Sequence, residues 1–398
     1  MTNTDTNKTV TIEGIHFQTK KPISIQVQNG IISKIQTNIE KFSENLPIIG
    51  PGLVDLQING YEGLDFNTLP IDDSLVPAVT RALWKEGVTS YCPTVITNND
   101  ELIEEAMRAF AKAYSQDSYV RRAIAGIHLE GPFISPKDGP RGAHSKAYVK
   151  GPDWSLFQRW QDAAEGKIKI VTLSPEWPGA SKFIERCVDN DVIVSIGHTA
   201  ATSKQIREAV DAGARMSTHL GNGAHLMLPR HPNYIWEQLS QDELWACVIA
   251  DGFHLPDSML KVIIRTKGSK VMLVSDAVYL SGMPSGNYNS HIGGEVVLTP
   301  KGKLHLADNP KLLAGSAQML TWGIRHLVKS KLMSLSEAWE MASMRPASFI
   351  GFPCEAGLKV GAPADLIAFT SNEDGIDIIE TYKNGEIVYS KRQNELVV

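Results

Sequence analysis

Residues 192–220, VIVSIGHTAATSKQIREAVDAGARMSTHL, contain the pattern that decides the fold. An apolar run ending at His198 is followed by a polar stretch of helical character and by a second apolar run that reaches His219. Short strands alternating with helices are typical of βα units in a parallel sheet. The alternation recurs through the middle of the chain, in eight apolar runs: GLVDLQI, VTSYCPTVI, AIAGIHLE, IKIVTLSPE, VIVSIGH, MSTHL, LWACVIAD and KVMLVSDA.

Eight such units predict an α/β fold with a (β/α)8 TIM-like barrel. The alternative is an open sheet, but eight strands alternating with helices fit a closed barrel better. In such barrels the functional residues lie at the C-terminal ends of the strands. Polar residues at those ends are therefore the candidates for a site.

Both ends of the chain have the period of strands instead. The Asn29-Gly30 and Asn384-Gly385 pairs each mark a tight turn between two apolar, β-rich runs. We expect the two terminal segments to meet in one small β-sandwich. This predicts an accessory domain of residues 1–50 plus 360–398 and a barrel domain of residues 51–359.

Composition excludes several classes of protein. The chain has 398 residues, 42% of them hydrophobic, and a net charge of -5 with no basic face for nucleic acid. The N-terminus lacks the apolar run of a signal peptide, and no segment has the roughly 18 apolar residues of a membrane span. We therefore expect a cytoplasmic protein. No CxxC spacing indicates a disulfide framework or a thiolate zinc site, and four cysteines are predicted to be buried apolar residues: Cys92, Cys187, Cys247 and Cys354.

Polar residues close or interrupt five of the apolar runs: Glu130, His198, His219, Asp251 and Asp276. A packed strand excludes a charged residue unless the charge is paired or bound to a metal. One histidine near a strand end is more often structural. Five polar residues on barrel strands indicate a site.

The types of these residues indicate metal-assisted hydrolysis. Glu130, His198 and His219 offer the oxygen and nitrogen ligands that hold zinc or a similar divalent ion and leave a position for water. Such a water can attack an amide carbonyl. Asp276 is placed to accept the water proton and to deliver it to the departing amine. The alternative for Asp276 is a buried carboxylate that caps the next helix.

Several motifs resemble those of the N-acetylglucosamine-6-phosphate deacetylases, a group of the amidohydrolase superfamily. They extend over nearly the whole chain, in order: PGLVDLQINGYEG, HLEGPF, SIGHT, STHLGN, ADGFH, LVSDA, LAGS, RPASFIG and GLKVGAPADLIAF. The resemblance implies Glu130, His198 and His219 as metal ligands and Asp276 as the general acid/base, which agrees with the analysis of the residues.

The resemblance also implies a substrate site. His144 matches a histidine that contacts the sugar, and His254 and the backbone at Asn222 and Gly223 match phosphate-binding positions. Arg230 matches an arginine that reaches into the neighbouring subunit's site, which implies a homodimer. Arginine and histidine suit a phosphate dianion. The alternative for His144 and Arg230 is a solvated residue on a surface loop.

The chain departs from the superfamily pattern at the first strand. Many amidohydrolases have a His-x-His pair there that holds a second metal, whereas this chain has Gln57 and Asn59. Amides are poor ligands for zinc. We therefore predict one divalent ion per subunit, zinc first, with iron, cobalt and manganese as alternatives.

Two loop regions concern the substrate site: one departs from the family pattern, and the other is an insertion. The loop of residues 222–232 has Asn-Gly-Ala where the family usually has Asn-Ala-Met, and His225 and His231 in it are candidates to alter phosphate recognition. Residues 281–313, around the runs EVVLTP and KLHLA, are predicted to form a hairpin inserted after the eighth strand. This insertion either covers the site or decorates the barrel.

The predicted function is hydrolysis of the acetamide of N-acetylglucosamine 6-phosphate to glucosamine 6-phosphate and acetate. One alternative is the same chemistry on a different N-acyl amino sugar or an N-acyl amino acid. The other is a sugar-binding barrel without catalysis, which the presence of all three ligands and Asp276 argues against.

Overall fold

The computed structural model of the protein describes residues 9–37, 45–290, 294–373 and 375–391. In chain order, the strands of these residues are β1 (Thr9–His16), β2 (Pro22–Gln28), β3 (Ile31–Thr37), β4 (Ile48–Pro51), β5 (Leu53–Ile58), β6 (Gly60–Tyr61), β7 (Leu64–Asp65), β8 (Val88–Ile96), β9 (Ile127–Glu130), β10 (Ile168–Leu173), β11 (Ile193–Ile196), β12 (Met216–Ser217), β13 (Trp245–Val248), β14 (Val271–Leu273), β15 (Gly286–Ser290), β16 (Gly294–Leu298), β17 (Leu304–Leu306), β18 (Leu366–Ser371), β19 (Ile376–Lys383) and β20 (Glu386–Ser390).

The helices, in the same order, are α1 (Leu75–Trp84), α2 (Asp100–Gln116), α3 (Ser118–Ala123), α4 (Trp154–Ala163), α5 (Ala180–Asp189), α6 (Ser203–Asp211), α7 (Tyr234–Ser240), α8 (Asp257–Lys267), α9 (Leu320–Lys329), α10 (Leu335–Met341) and α11 (Met344–Phe349). Two short 3-10 helices, Gly268–Lys270 and Pro353–Ala356, complete the set for the described residues.

The described residues divide into two compact units. The barrel unit contains Leu56–Val79 and Tyr91–Met319, and the terminal unit contains the described parts of Met1–Asp55, Thr80–Ser90 and Leu320–Val398. The domain limits predicted from the sequence stay a prediction.

An eight-stranded sheet has the order β14-β13-β12-β11-β10-β9-β8-β5. Neighbouring strands from β8 to β14 pair in parallel, and a parallel bridge between Ile58 and Ala277 joins the two ends of the sheet. The (β/α)8 barrel predicted from the alternating pattern is confirmed. Its strands are the eight predicted runs, buried almost throughout because both faces of the sheet are covered.

Local sequence explains where the barrel helices start. Helix α6 begins with a capping box, in which Thr202 Oγ1 accepts a hydrogen bond from the Gln205 backbone and Gln205 Oε1 accepts one from the Thr202 backbone. Its buried side chains, Ile206, Ala209 and Val210, recur at helical spacing and form one apolar face.

The insertion after the eighth strand is larger than the predicted hairpin. Strands β16 and β17 pair as expected for a hairpin, but β15 adds a third antiparallel strand to this small sheet. The sheet has a core of its own, formed by six buried residues: Leu280, Val296, Leu298, Leu304, Ala314 and Ala317. The added strand, β15, has the sequence GNYNS, which contains no aliphatic residue and therefore gives no apolar period-two pattern.

The terminal unit contains a seven-stranded sheet with the order β20-β19-β18-β4-β1-β2-β3. The two ends of the chain therefore share one sheet, which confirms the predicted small β domain formed by both terminal segments. Asn384 and Gly385 have left-handed φ angles of 49° and 76°, as a tight hairpin turn requires. Inside the unit, Lys383 Nζ lies 2.7 Å from Asp365 Oδ2, so this buried charge is paired.

Two further predictions concern membrane-spanning segments and the state of the cysteines. Within the described residues, no helix is both long enough and apolar enough to cross a membrane. All four cysteines are buried free thiols, as predicted.

Candidate metal centre and substrate pocket

The predicted metal ligands lie at the C-terminal ends of three barrel strands. Glu130 is the last residue of β9, and His198 and His219 each follow their strand, β11 and β12, by two residues. The two histidines have left-handed φ angles of 48° and 28°. Such angles are uncommon for residues other than glycine and cluster at functional sites.

The ligand atoms converge on one point. Glu130 Oε1 lies 3.0 Å from His198 Nε2 and 3.2 Å from His219 Nε2, and the two Nε2 atoms are 3.0 Å apart. Ligands that lie about 2.0–2.2 Å from a tetrahedral zinc ion are separated by about 3.3 Å, so these three atoms have the spacing of a zinc ligand set.

The protonation pattern also suits a cation. His198 Nδ1 donates to the Pro140 carbonyl over 2.8 Å, so Nε2 is the ring nitrogen that faces Glu130. With a proton, Nε2 donates to this carboxylate, and without one its lone pair is available to a metal ion. Burial opposes ionisation of Glu130, yet hydrogen bonds from His198 and His219 hold its pKa well below the usual value. Burial lowers the pKa of His219, but Glu130 more than offsets this and raises it. The pocket therefore stabilises positive charge beside Glu130, and the three residues fit a divalent ion.

His144 lies beside this cluster. Its ring centroid is 4.4 Å from that of His198, and Glu130, His144 and His198 offer ligand atoms within 4.8 Å of one another. The Nδ1 atom of His144 is 2.8 Å from Thr97 Oγ1. Burial, together with the neighbouring histidines, lowers the pKa of His144 to about 3, so this imidazole is neutral.

Two amides hold Asp276, and sequence analysis missed this role. Asn59 Nδ2 donates to Asp276 Oδ1 over 2.8 Å, and Gln57 Nε2 donates both to the same oxygen, over 3.1 Å, and to Glu130 Oε1, over 3.0 Å. Desolvation and the negative charge of Glu130 raise the pKa of Asp276 to about 6. Gln57 thus links Glu130 and Asp276, and Asn59 supplies a second hydrogen-bond donor to Asp276. The pattern gave no signal of this beyond the missing His-x-His pair.

Asp251, the fifth strand-end residue, orients His254. Its Oδ2 atom accepts a hydrogen bond of 2.7 Å from His254 Nδ1, and Oδ1 accepts bonds from the backbone N-H groups of Phe253 and His254. The other ring nitrogen of His254 is left to bind a ligand. His254 lines the same cavity as Glu130 and Asp276.

A cavity of about 580 Å³ brings eight of the nine predicted site residues together: Glu130, His144, His198, His219, Asn222, Gly223, His254 and Asp276. Lys303 and Lys311 of the insertion also line it, so the insertion forms part of the wall rather than mere decoration. Sequence analysis missed both lysines. The ninth residue, Arg230, is exposed and does not line this cavity.

The two histidines of the loop of residues 222–232, His225 and His231, differ in position. His225 lines the cavity, and its backbone N-H and Nδ1 lie 2.8 and 3.0 Å from the Tyr234 hydroxyl. His231 is exposed and is not among the lining residues. Of the two, only His225 has a position from which it can contact a ligand in this cavity.

Glycine is required where the chain passes His198. A Cβ atom at Gly223, where φ is 57°, would lie 2.8 Å from His198 Nδ1, and one at Gly142 would lie 3.1 Å from Cε1 of the same ring. The imidazole is therefore held between two backbone segments that leave no room for a side chain.

We expect Gly223→Ala to displace His198 and to weaken metal binding roughly 10–100-fold, the usual cost of disturbing the surroundings of a ligand. Gly179→Ala is the matched control, because Gly179 also has a left-handed φ, 80°, but no atom within 4 Å of the added Cβ. Both variants should lose about 1–2 kcal/mol of stability through backbone strain. Thermal unfolding and metal titration separate the two effects, and equal metal affinity in both variants would contradict the prediction.

A (β/α)8 barrel with a carboxylate and two imidazoles at the C-terminal ends of its strands is the arrangement expected of a metal-dependent hydrolase. The chain belongs to the amidohydrolase family, whose model matches residues 48–388. Within that family it is similar to N-acetylglucosamine-6-phosphate deacetylases, as the sequence motifs predicted. The enzyme of that name from Bacillus subtilis (strain 168) is 32% identical over 390 residues, which cover 94% of each chain.

Two further relatives have the same name. The human N-acetylglucosamine-6-phosphate deacetylase is 32% identical over 356 residues, 86% of this chain and 83% of the human one. A solved structure of a mutant deacetylase from Mycobacterium smegmatis, in complex with N-acetyl-D-glucosamine-6-phosphate, superposes with a TM-score of 0.85 at 25% identity and covers 96% of this chain and 100% of its own.

Proposed function

We propose that this protein hydrolyses the acetamide of N-acetylglucosamine 6-phosphate to glucosamine 6-phosphate and acetate. The observation that carries the proposal is the convergence of Glu130, His198, His219 and Asp276 in one cavity of a chain whose full-length relatives have this activity in their names. These four groups are the ones that metal-assisted amide hydrolysis needs.

Glu130, His198 and His219 are the residues that we assign to the metal. Their donor set, one carboxylate and two imidazoles, favours a single zinc ion per subunit, with iron, cobalt and manganese as the alternatives. When bound, such an ion supplies a Lewis acid that polarises the acetamide carbonyl and lowers the pKa of a water molecule.

Asp276 is the proposed general acid/base. Both amide donors bond to its Oδ1 atom, which leaves Oδ2 to accept a proton from the attacking water and to return it to the amine of glucosamine 6-phosphate. Burial and the charge of Glu130 raise the pKa of Asp276 to about 6 without metal, and a bound cation lowers it, so the carboxylate is ionised near neutral pH and can accept the proton. The neutral imidazole of His144 is suited to a hydrogen bond with a sugar hydroxyl, because it can donate and accept.

The phosphate is assigned to His254 and to Asn222 and Gly223, all of which line the cavity. Arg230 is assigned to the cavity of a second subunit. Two features support this homodimer: Arg230 is exposed outside its own cavity, and the same loop exposes 86% of Leu226 and 87% of Met227, apolar surface that an interface would bury.

The test of the proposed function is product analysis. Metal-loaded protein is incubated with N-acetylglucosamine 6-phosphate, and the products are identified by NMR. We expect acetate and glucosamine 6-phosphate in equal amounts, with no reaction after removal of the metal by a chelator. Unchanged substrate under metal-loaded conditions would contradict the proposal. It would favour a different N-acyl substrate, the alternative that the departure of the loop of residues 222–232 from the family pattern suggests.

Arg230→Ala should raise KM for the phosphorylated sugar about 10–100-fold, because hydrogen bonds to a charged group contribute roughly 1.5–3 kcal/mol. KM for unphosphorylated N-acetylglucosamine should stay unchanged. Arg121→Ala, at an exposed position of α3, is the matched control and should change neither value. An equal rise in KM for both substrates would show that Arg230 does not bind the phosphate.

A further inference from the structure

Glu176 lies three residues beyond β10 and outside the set of groups assigned to metal, proton transfer or substrate. Its Oε1 atom accepts a hydrogen bond of 3.1 Å from Ser135 Oγ. Its Oε2 atom accepts bonds of 2.8 Å from Ser174 Oγ and from the backbone N-H of Ala200. One carboxylate therefore ties together the segments that follow β9, β10 and β11.

Two of these segments control the backbone of His198. The N-H of Ser135 donates to the carbonyl oxygen of His198 over 2.8 Å, and Ala200 follows His198 by only two residues. Glu176 thus bonds to the residue that holds the His198 carbonyl and to the chain just after it. Ser174 Oγ also lies 2.8 Å from Thr199 Oγ1, which adds a further contact between the segment after β10 and the residue that follows His198.

The need for such a clamp follows from the His198 backbone. With φ at 48°, the backbone of a residue other than glycine is strained and keeps this conformation only where the surroundings enforce it. Relaxation of φ toward the usual negative range would rotate the imidazole away from Glu130 and His219. The contacts of Glu176 on both sides of His198 oppose that relaxation.

We propose that Glu176 is a positioning residue, which holds the strained backbone of His198 and thereby keeps Nε2 of this imidazole in the metal-binding orientation. It acts through Ser135 and Ala200 and touches neither metal nor substrate. The inference rests on the assignment of His198 as a metal ligand in the proposed function.

The test is the zinc dissociation constant of Glu176→Gln, measured by competition with a chromophoric chelator in the absence of substrate. Glutamine keeps the size of the side chain, but its amide group cannot accept all three hydrogen bonds. We expect the Kd for zinc to rise roughly 10–100-fold, as for other partners that orient a metal ligand. The kcat of the variant at saturating zinc should fall much less than its zinc affinity.

Glu104→Gln is the matched control. Glu104 is also largely buried and is bonded by two arginines, Arg108 and Arg159, but it lies on α2 and does not line the cavity. This variant should lose little stability in thermal unfolding, because both arginines are largely exposed, and its zinc Kd should stay within about 3-fold of wild type. Ser135→Ala removes the hydrogen bond between Ser135 and Glu176 and should give a smaller rise in the zinc Kd. This variant therefore tests the proposal if Glu176→Gln does not fold.

Wild-type zinc affinity in folded Glu176→Gln and in Ser135→Ala, with a loss of stability alone, would overturn the positioning role. Failure of the wild-type protein to bind zinc would instead remove the metal assignment on which the inference rests. Normal zinc binding without deacetylation would contradict only the proposed substrate, so the two failures are distinguishable.

Discussion

Asp276→Asn should lower kcat by about 10²–10⁴-fold, the usual contribution of a positioned acid/base group. Asparagine has nearly the shape of aspartate, so the cavity should keep its form. Its amide cannot take a proton from water and return it to an amine. The two donors that now bond to Oδ1, Asn59 Nδ2 and Gln57 Nε2, can still bond to the amide oxygen.

Two quantities test this prediction: kcat with N-acetylglucosamine 6-phosphate, and the metal content of the purified variant. The metal content should stay at the wild-type level. The wild-type rate should fall as the pH drops through a pKa no higher than about 6, because Asp276 must be ionised to accept the proton, and a bound cation lowers that pKa further. This acidic limb should disappear from the residual activity of the variant. A near-normal kcat would show that another group transfers the proton.

His198→Ala should lose both bound metal and activity. Its Nε2 atom is one of three that converge within 3.0 to 3.2 Å of one another, so its removal leaves two ligands. The affinity for zinc should fall by more than the roughly 10–100-fold that the loss of an outer partner costs. Stability should also fall by about 1–3 kcal/mol, since the Pro140 carbonyl loses its donor inside the protein.

Elemental analysis after dialysis, with thermal unfolding, tests this prediction. His231→Ala is the control, because His231 is exposed and does not line the cavity. It should keep wild-type metal content, stability and kcat. Stoichiometric zinc in His198→Ala would remove His198 from the ligand set and favour a centre that includes His144, which lies beside Glu130.

The barrel was predictable because its strands are short apolar runs, and the candidate ligands were predictable because they break those runs. Glu130, His198 and His219 meet in the structure because the C-terminal ends of parallel strands lie at one edge of the sheet. The same argument marked Asp251, but its partner His254 depends on the turn that follows the strand and not on the strand pattern.

Other parts of the site depend on contacts that no local pattern contains. Gln57 was interpreted only as a missing metal ligand, whereas its amide bonds to two carboxylates that lie 73 and 219 residues away in sequence. Lys303 and Lys311 reach the cavity through an insertion whose first strand, β15, the sequence did not indicate. The placement of Arg230 in a second subunit stays a prediction.

The decisive measurement is kcat/KM for acetate release by the zinc-loaded protein from N-acetylglucosamine 6-phosphate and, side by side, from N-acetylglucosamine. We expect efficient turnover of the phosphorylated sugar and a value at least about 100-fold lower for the unphosphorylated one, since the phosphate contacts are lost. Turnover of neither sugar, by protein that has bound zinc, would contradict the proposed function while leaving the barrel and its metal centre in place.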